Sequence, residues 1–153
     1  MSRQTNILVI DDDVARLKTL SAGLQIMGHR VTAASTGREA LALLGKQPFN
    51  IVVANIKLPD VSGLEILETT KELNPEVAVI MLTDHSSLET AVNAIDEGAY
   101  AYILKPEAMT ELKTMINNAL REQELLAKNR KLVDSLQRSN KSLEKANKAL
   151  EQA

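Results

Sequence analysis

Short apolar runs alternate with amphipathic segments along the first 120 residues of the chain. Residues 7–10 form a continuous apolar run, which is typical of a strand that is buried on both faces. Related runs predict four further strands, at 30–34, 51–54, 77–82 and 100–104. Between them, apolar residues recur at helical spacing and predict helices at 14–27, around 40–44, at 64–73 and at 86–97.

Glycine and threonine residues mark where several of these helices begin and end. Gly28 and Gly98 follow the first and fourth predicted helices as candidate C-caps. Thr36 is a candidate N-cap for the second helix, and Gly45 is expected to end it. The chain therefore consists of strand–helix units in alternation, which predicts an α/β fold with a parallel sheet and helices on both of its faces.

Polar side chains stand at the carboxyl ends of the predicted strands, where parallel sheets bind their ligands. They are Asp11, Asp12 and Asp13 after the first strand, Asn55 at the end of the third, Thr83 and Asp84 after the fourth, and Lys105 after the fifth. We expect these groups to share one edge of the sheet. Each has an alternative structural role when taken singly, because aspartate, for example, is also favoured in turns and at helix N-termini.

The pattern changes at about Met109, after which no glycine or proline occurs up to Ala153. One heptad register places Val133, Asn140 and Asn147 at position a and Leu136, Leu143 and Leu150 at position d. This spacing predicts a coiled coil, and asparagine at a favours two parallel chains in one register. A solvated single helix and a frayed linker are the alternatives. We expect residues 1–122 to form one domain and residues 123–153 to form a helical linker that leads to an output domain.

Composition and charge exclude several classes of function. The chain has 153 residues, a formal net charge of −2, no cysteine and two histidines, so disulfides are excluded and a zinc site is disfavoured. From Arg121 onwards eight basic and five acidic residues give +3, and the other ten basic and fifteen acidic residues give −5. This mild basic excess, with 2% aromatic residues, argues against nucleic-acid binding. No apolar run approaches the roughly 20 residues of a membrane span.

Residues 50–65 resemble the third strand and active-site loop of response-regulator receiver domains, and the resemblance extends over about residues 5–122. It implies a flavodoxin-like (βα)5 doubly wound parallel sheet, followed here by a long C-terminal helix or coiled coil. It also assigns roles: Mg²⁺ binding to Asp11, Asp12, Asn55 and the carbonyl of Lys57, phosphate contacts to Thr83 and Lys105, and a rotamer switch to Tyr102. Pro106 would shape the loop that carries Lys105.

Two residues depart from the family pattern. Asn55 stands where the family has the aspartate that accepts a phosphoryl group, and an amide is a very poor nucleophile for that reaction. An amide oxygen is also a poorer Mg²⁺ ligand than a carboxylate, so we expect weakened metal binding. Asp84 replaces a small residue and would crowd an incoming phosphate, unless it serves as a helix cap. Asp84 favours a natural receiver without phosphoryl transfer over a substitution that holds the unphosphorylated state.

We therefore expect a cytoplasmic, non-enzymatic receiver domain of two-component or phosphorelay signalling that acts through protein contacts. The resemblance implies a sensor histidine kinase or phosphotransfer protein as partner, an output domain, and a homodimer formed through the C-terminal helix. The contact face is expected around Ala91, Ile95, Tyr102 and Leu112. The alternatives are a coiled-coil dimerisation scaffold and a small Mg²⁺-dependent phosphatase with Asp11 as nucleophile. The phosphatase is disfavoured, because residues 11–15 meet only part of the motif that such enzymes need.

Overall fold

Strands and helices alternate throughout the computed structural model, which describes residues 5–84, 88–104 and 108–152. The strands are β1 (Asn6–Ile10), β2 (Arg30–Ala34), β3 (Ile51–Asn55), β4 (Ala78–Thr83) and β5 (Ala101–Leu104). The helices are α1 (Val14–Ile26), α2 (Gly37–Lys46), α3 (Gly63–Leu73), α4 (Leu88–Asp96) and α5 (Ala108–Glu151).

The strands form one parallel sheet in the order β2-β1-β3-β4-β5. The order reverses direction between β1 and β3, and this is the point where doubly wound sheets bind their ligands. The register pairs Ile10 of β1 with Ala54 of β3, and Asn55 of β3 with Leu82 of β4. The prediction of a flavodoxin-like (βα)5 sheet followed by a long C-terminal helix is therefore confirmed.

The core lies on both faces of the sheet, as the continuous apolar strands require. Alternate strand residues such as Leu8, Val52 and Met81 pack in one cluster with buried residues of α2, α3 and α4. Their neighbours along the strands point to the opposite face because of the pleat. On that side α1 approaches the start of α5 so closely that a Cβ added at Gly23 would meet the side chain of Met109.

Most predicted boundaries agree with the structure to within one or two residues, but two predictions are wrong. Gly45 does not end α2, because the helix continues to Lys46 and the N–H of Gln47 still donates to the carbonyl of Leu43 at 3.1 Å. Leu112 is not on an exposed contact face, because its side chain is fully buried. Gly28 and Gly98 have φ of 94° and 108°, the left-handed conformation expected of glycine after a helix.

The chain divides into two compact units, Met1–Ala119 and Leu120–Ala153. The second unit consists of the C-terminal part of α5, and seven of its large apolar side chains are exposed: Leu125, Leu126, Leu132, Val133, Leu136, Leu143 and Leu150. The domain boundary at 122/123 and the coiled coil both stay predictions. Within the described ranges, no helix combines the length and the apolar character needed to cross a membrane.

Candidate functional site

The ends of β1, β3 and β4 bring three buried polar side chains to one edge of the sheet. Asp11 follows β1, while Asn55 and Thr83 are the last residues of β3 and β4. Their exposed fractions are 0%, 6% and 1%, which is unusual for such groups unless they are hydrogen-bonded. The apolar strands carry them into the interior, because β1 and β3 are buried on both faces up to the position where each side chain stands.

The amide of Asn55 connects both predicted acidic residues. Its Nδ2 donates to Oδ1 of Asp11 at 3.3 Å and to Oδ1 of Asp12 at 3.1 Å. Its Oδ1 accepts a hydrogen bond from the backbone N–H of Lys57 at 3.3 Å. The structure thus brings together Asp11, Asp12 and Asn55, three of the residues that the sequence proposed for one site.

This network also determines which way the amide points. In the opposite orientation, the amide oxygen would face two carboxylate oxygens and the NH₂ group would face the N–H of Lys57. Those contacts would pair acceptor with acceptor and donor with donor. Asn55 therefore presents hydrogen-bond donors, and not an oxygen, to Asp11 and Asp12.

The three consecutive aspartates have three different roles. Asp11 is buried, and its Oδ1 also accepts from the N–H of Asp13 at 3.0 Å. Asp12 is exposed and is joined to the site by the hydrogen bond that its Oδ1 accepts from Asn55. Asp13 is the N-cap of α1 and accepts from the N–H of Arg16 at 3.2 Å. The alternative of a helix cap therefore applies to Asp13, whereas Asp11 and Asp12 face the candidate site.

Arg16 belongs to this site although the sequence analysis did not single it out. Its Nη1 lies 3.4 Å from Oδ2 of Asp11, and its Nη2 lies 3.7 Å from Oδ2 of Asp13. The signal that could have found it is its position in the first turn of a helix capped by Asp13, where a basic side chain can reach back to the residues before the helix.

The remaining predicted residues are placed only in part. Thr83 donates from Oγ1 to the carbonyl oxygen of Asp84 at 3.0 Å, and the side chain of Asp84 is exposed. Tyr102 is half-buried and packs against the core cluster. Lys105 and Pro106 lie outside the described residues, as do residues 85–87, so the phosphate contact of Lys105 and the capping role of Asp84 stay predictions.

The loop after β3 is joined to the start of α2 by Asp60, a residue to which the sequence assigned no role. Asp60 accepts from the N–H groups of Gly37 and Arg38, each at 2.9 Å, and so caps the start of α2. The hydrogen bonds from Arg38 and then Gly37 lower the pKa of the Asp60 carboxyl from its ordinary value of 3.8. No local signal reveals this contact, because 23 and 22 residues separate the partners.

The arrangement does not suit Mg²⁺ as it stands. Mg²⁺ requires oxygen ligands in an octahedron, yet Asn55 turns its NH₂ group to both carboxylates and Arg16 already pairs with Asp11. The described residues contain no cluster of three or more His, Cys, Asp or Glu side chains that could hold a metal ion. A bound metal would need the amide to turn over and the guanidinium to move away.

Comparison with known proteins identifies the family. The response regulator receiver domain family matches residues 7–117. A receiver domain protein (CheY-like) from Methanospirillum hungatei JF-1 is 39% identical with a TM-score of 0.75, covering 80% of this chain and 98% of that one. One from Clostridium thermocellum is 37% identical with a TM-score of 0.76, at the same coverage.

Curated relatives are longer proteins. The transcriptional regulatory protein ZraR of Escherichia coli (strain K12) is 36% identical over 115 residues, which cover 75% of this chain and 26% of that protein. The response regulator protein PilR of Pseudomonas aeruginosa is 33% identical over 122 residues, covering 79% and 27%. The chain thus spans about a quarter of the length of these relatives. Because the family match covers most of the chain and agrees with the fold, this protein belongs to the response regulator receiver domain family.

Proposed function

We propose that this receiver domain signals through protein contacts and forms no acyl phosphate at residue 55. The observation that carries the proposal is the amide of Asn55, which stands at the strand end that the family resemblance assigns to the acceptor and donates hydrogen bonds to Asp11 and Asp12. An acyl phosphate needs a carboxylate oxygen as nucleophile, and the amide has none.

The environment of Asn55 supports the proposal. An ionised carboxylate at residue 55 would lie about 3 Å from the carboxylates of Asp11 and Asp12 and would repel them. The amide of Asn55 instead donates a hydrogen bond to each of them. The site is therefore stable in the state without phosphate and without metal. We infer that Mg²⁺ binds more weakly here than in a receiver that has three carboxylates, because the metal must displace these hydrogen bonds.

The partners of this domain follow from the family and from its exposed side chains. Receiver domains work with histidine kinases, and we propose a histidine kinase or a phosphotransfer protein as the partner. The apolar side chains of Val92 and Ile95 on α4 are 48% and 38% exposed, and Tyr102 of β5 is half-buried. They form our candidate contact face, without Leu112, and the side chain of Ala91 lies outside the described residues.

The C-terminal part of α5 supports a role in dimerisation. Leu136, Leu143 and Leu150, the predicted d positions, are 63%, 62% and 75% exposed. A helix with an exposed apolar stripe at heptad spacing is stabilised by a second copy of itself. We propose a parallel homodimer through this segment that conveys the state of the receiver to an output domain, as the greater length of the relatives would allow.

The alternative function is a dimerisation scaffold with an inert receiver, and the exposed leucines of α5 agree with it as well as with the main proposal. Removal of residues 125–153 distinguishes the two, since partner binding that survives the truncation excludes the scaffold. We expect no phosphatase activity, and hydrolysis of a phosphate ester that depends on Asp11 would contradict this expectation.

The test of the main proposal is modification by a small phosphodonor. Wild type, Asn55→Asp and the charge-matched control Asn117→Asp, at an exposed position of α5, are each treated with acetyl phosphate or beryllofluoride and Mg²⁺. Intact mass and the environment of Tyr102 are then measured. We expect wild type and the control to remain unmodified, and a phosphoryl adduct on Asn55 of wild type overturns the proposal.

The Asn55→Asp variant adds a second result. If it is modified, Asn55 alone accounts for the loss of the reaction. If it is not, a further group such as Asp84 blocks the phosphodonor, and the domain is silent for two reasons.

A further inference from the structure

The carboxylate of Asp11 is fully buried, and each of its two oxygens has a partner within the chain. Oδ1 accepts from the N–H of Asp13 and from Nδ2 of Asn55, while Oδ2 faces Nη1 of Arg16 at 3.4 Å. A buried carboxylate is stable only when it is paired or coordinates a metal. Here the pairing cation is a side chain.

The guanidinium of Arg16 lies beside the carboxylates of Asp11 and Asp13. Arg16 lies in the first turn of α1, and its side chain is 32% exposed, so the charged group is partly withdrawn from water. Its two nitrogens reach both Asp11 and the cap residue Asp13, at 3.4 Å and 3.7 Å. These two contacts place the charge next to Asp11.

We propose that Arg16 is a tethered cation that takes the place of a divalent ion at the acidic pair. It supplies positive charge to Asp11 in the absence of metal, so the site needs no Mg²⁺ for stability and binds the ion more weakly. An incoming divalent ion meets the positive charge of Arg16 as well as the donor face of Asn55.

Arginine suits this role for physical reasons. Its guanidinium stays charged at every physiological pH and offers several donors in one plane, so it can contact two carboxylates at once. Two cations cannot share Asp11 at close range without strong repulsion. Metal binding at this site therefore requires Arg16 to swing away from Asp11.

This inference goes beyond the proposed function because it depends on a different residue. The proposed function depends on the missing nucleophile at Asn55 and fails if wild type is phosphorylated there. The tethered-cation inference fails on measurements of metal binding and of Arg16, without any phosphoryl transfer, so the two can fail separately.

The experiment compares Arg16→Gln with Lys18→Gln, which removes the same charge from an exposed position of the same helix. Mg²⁺ is titrated into each purified chain and followed by calorimetry, by the melting temperature and by the NMR signals of the Asn55 side-chain amide. We expect Arg16→Gln to bind Mg²⁺ at least about tenfold more tightly than wild type, and Lys18→Gln to bind it like wild type. Arg16→Lys keeps the charge and should bind the ion as weakly as wild type does.

Equal Mg²⁺ affinity of Arg16→Gln and Lys18→Gln overturns the inference. If Arg16→Gln does not fold, wild type itself decides by the NMR signal of the Arg16 side-chain Nε–H during the titration. Submillimolar Mg²⁺ binding that leaves this signal unchanged overturns the inference. Binding that shifts the signal as Arg16 leaves Asp11 supports it.

Discussion

Replacing Asn55 by aspartate removes both donors from the acidic pair and adds a third negative charge among the strand ends. In wild type, Nδ2 of Asn55 lies 3.3 Å from Oδ1 of Asp11 and 3.1 Å from Oδ1 of Asp12. Asn55→Asp places a carboxylate oxygen at that position, in a residue that is only 6% exposed. We expect the variant to be less stable than wild type when no metal is added.

The magnitude follows from the distances. Two unit charges about 3.2 Å apart repel by about 5 kcal/mol at an effective dielectric constant of about 20, and the exposure of Asp12 and the charge of Arg16 reduce the sum. Protonation sets an upper limit, because holding a carboxyl group with an ordinary pKa of about 3.9 neutral at pH 7 costs about 4 kcal/mol. We therefore expect a loss of about 2–4 kcal/mol.

The assay is unfolding of the chain followed by circular dichroism, by heat and by urea, in EDTA and in Mg²⁺. For a domain of this size the expected loss lowers the melting temperature by about 10 °C. Mg²⁺ should restore part of it, about 1.4–2.7 kcal/mol at tenfold to hundredfold excess over its dissociation constant, because the metal neutralises the added carboxylate once Arg16 has moved away from Asp11. Wild type should change little with Mg²⁺, and Asn117→Asp is the control for the added charge.

Two results would contradict this reasoning. If Asn55→Asp is as stable as wild type in EDTA at neutral pH, the carboxylates are not confined at the distances on which the estimate depends. A loss of stability that Mg²⁺ does not reduce would show that the ion does not reach the three carboxylates while Arg16 stays paired with Asp11.

Three further predictions concern residues around the site. Gly63→Ala places a Cβ 2.7–2.9 Å from the backbone that carries Asn55 and should cost about 1–3 kcal/mol in urea unfolding, whereas Gly45→Ala, with open space around it, should be neutral or stabilising. Burial lowers the pKa of His29 from 6.5, so the free energy of unfolding of wild type should fall as the pH drops below about 6.5. His29→Gln should lose less stability over that range, and parallel stability profiles of the two proteins against pH would contradict this. Asp60→Asn should lower the protection of the first amides of α2 from hydrogen exchange at pH 7. The stability difference between Asp60→Asn and wild type should vanish as the pH falls through the lowered pKa of Asp60. A difference that persists at low pH would exclude the carboxylate as its cause.

The element order was accessible to sequence reasoning because β1, β3 and β4 are short apolar runs that are buried along nearly their whole length. The error at Gly45 shows the limit of local signals. Glycine marks a helix end only where the chain needs a positive φ, as at Gly28 and Gly98, and Gly45 does not adopt one. Whether a helix continues past a glycine depends on whether the following N–H still donates to a carbonyl of the preceding turn, as Gln47 does to Leu43. The residue type alone does not determine this.

The site was predictable in part for a similar reason. Parallel strands end at the same edge, so the grouping of Asp11 with Asn55 followed from the pattern once the sheet was expected. Which aspartate faces the site, and which caps α1, did not follow. Asp11, Asp12 and Asp13 are chemically identical, and only the direction of each side chain separates their roles.

The sequence by itself determined the alternating pattern and the amide at residue 55, because the spacing of apolar residues and the presence of a nucleophile are set by residue type. The tertiary structure decided the orientation of the Asn55 amide, the pairing of Arg16 with Asp11, and the cap that Asp60 gives to α2. Hydrogen bonds and ion pairs act over about 3 Å and depend on direction, so they are settled only when folding brings residues from different elements together.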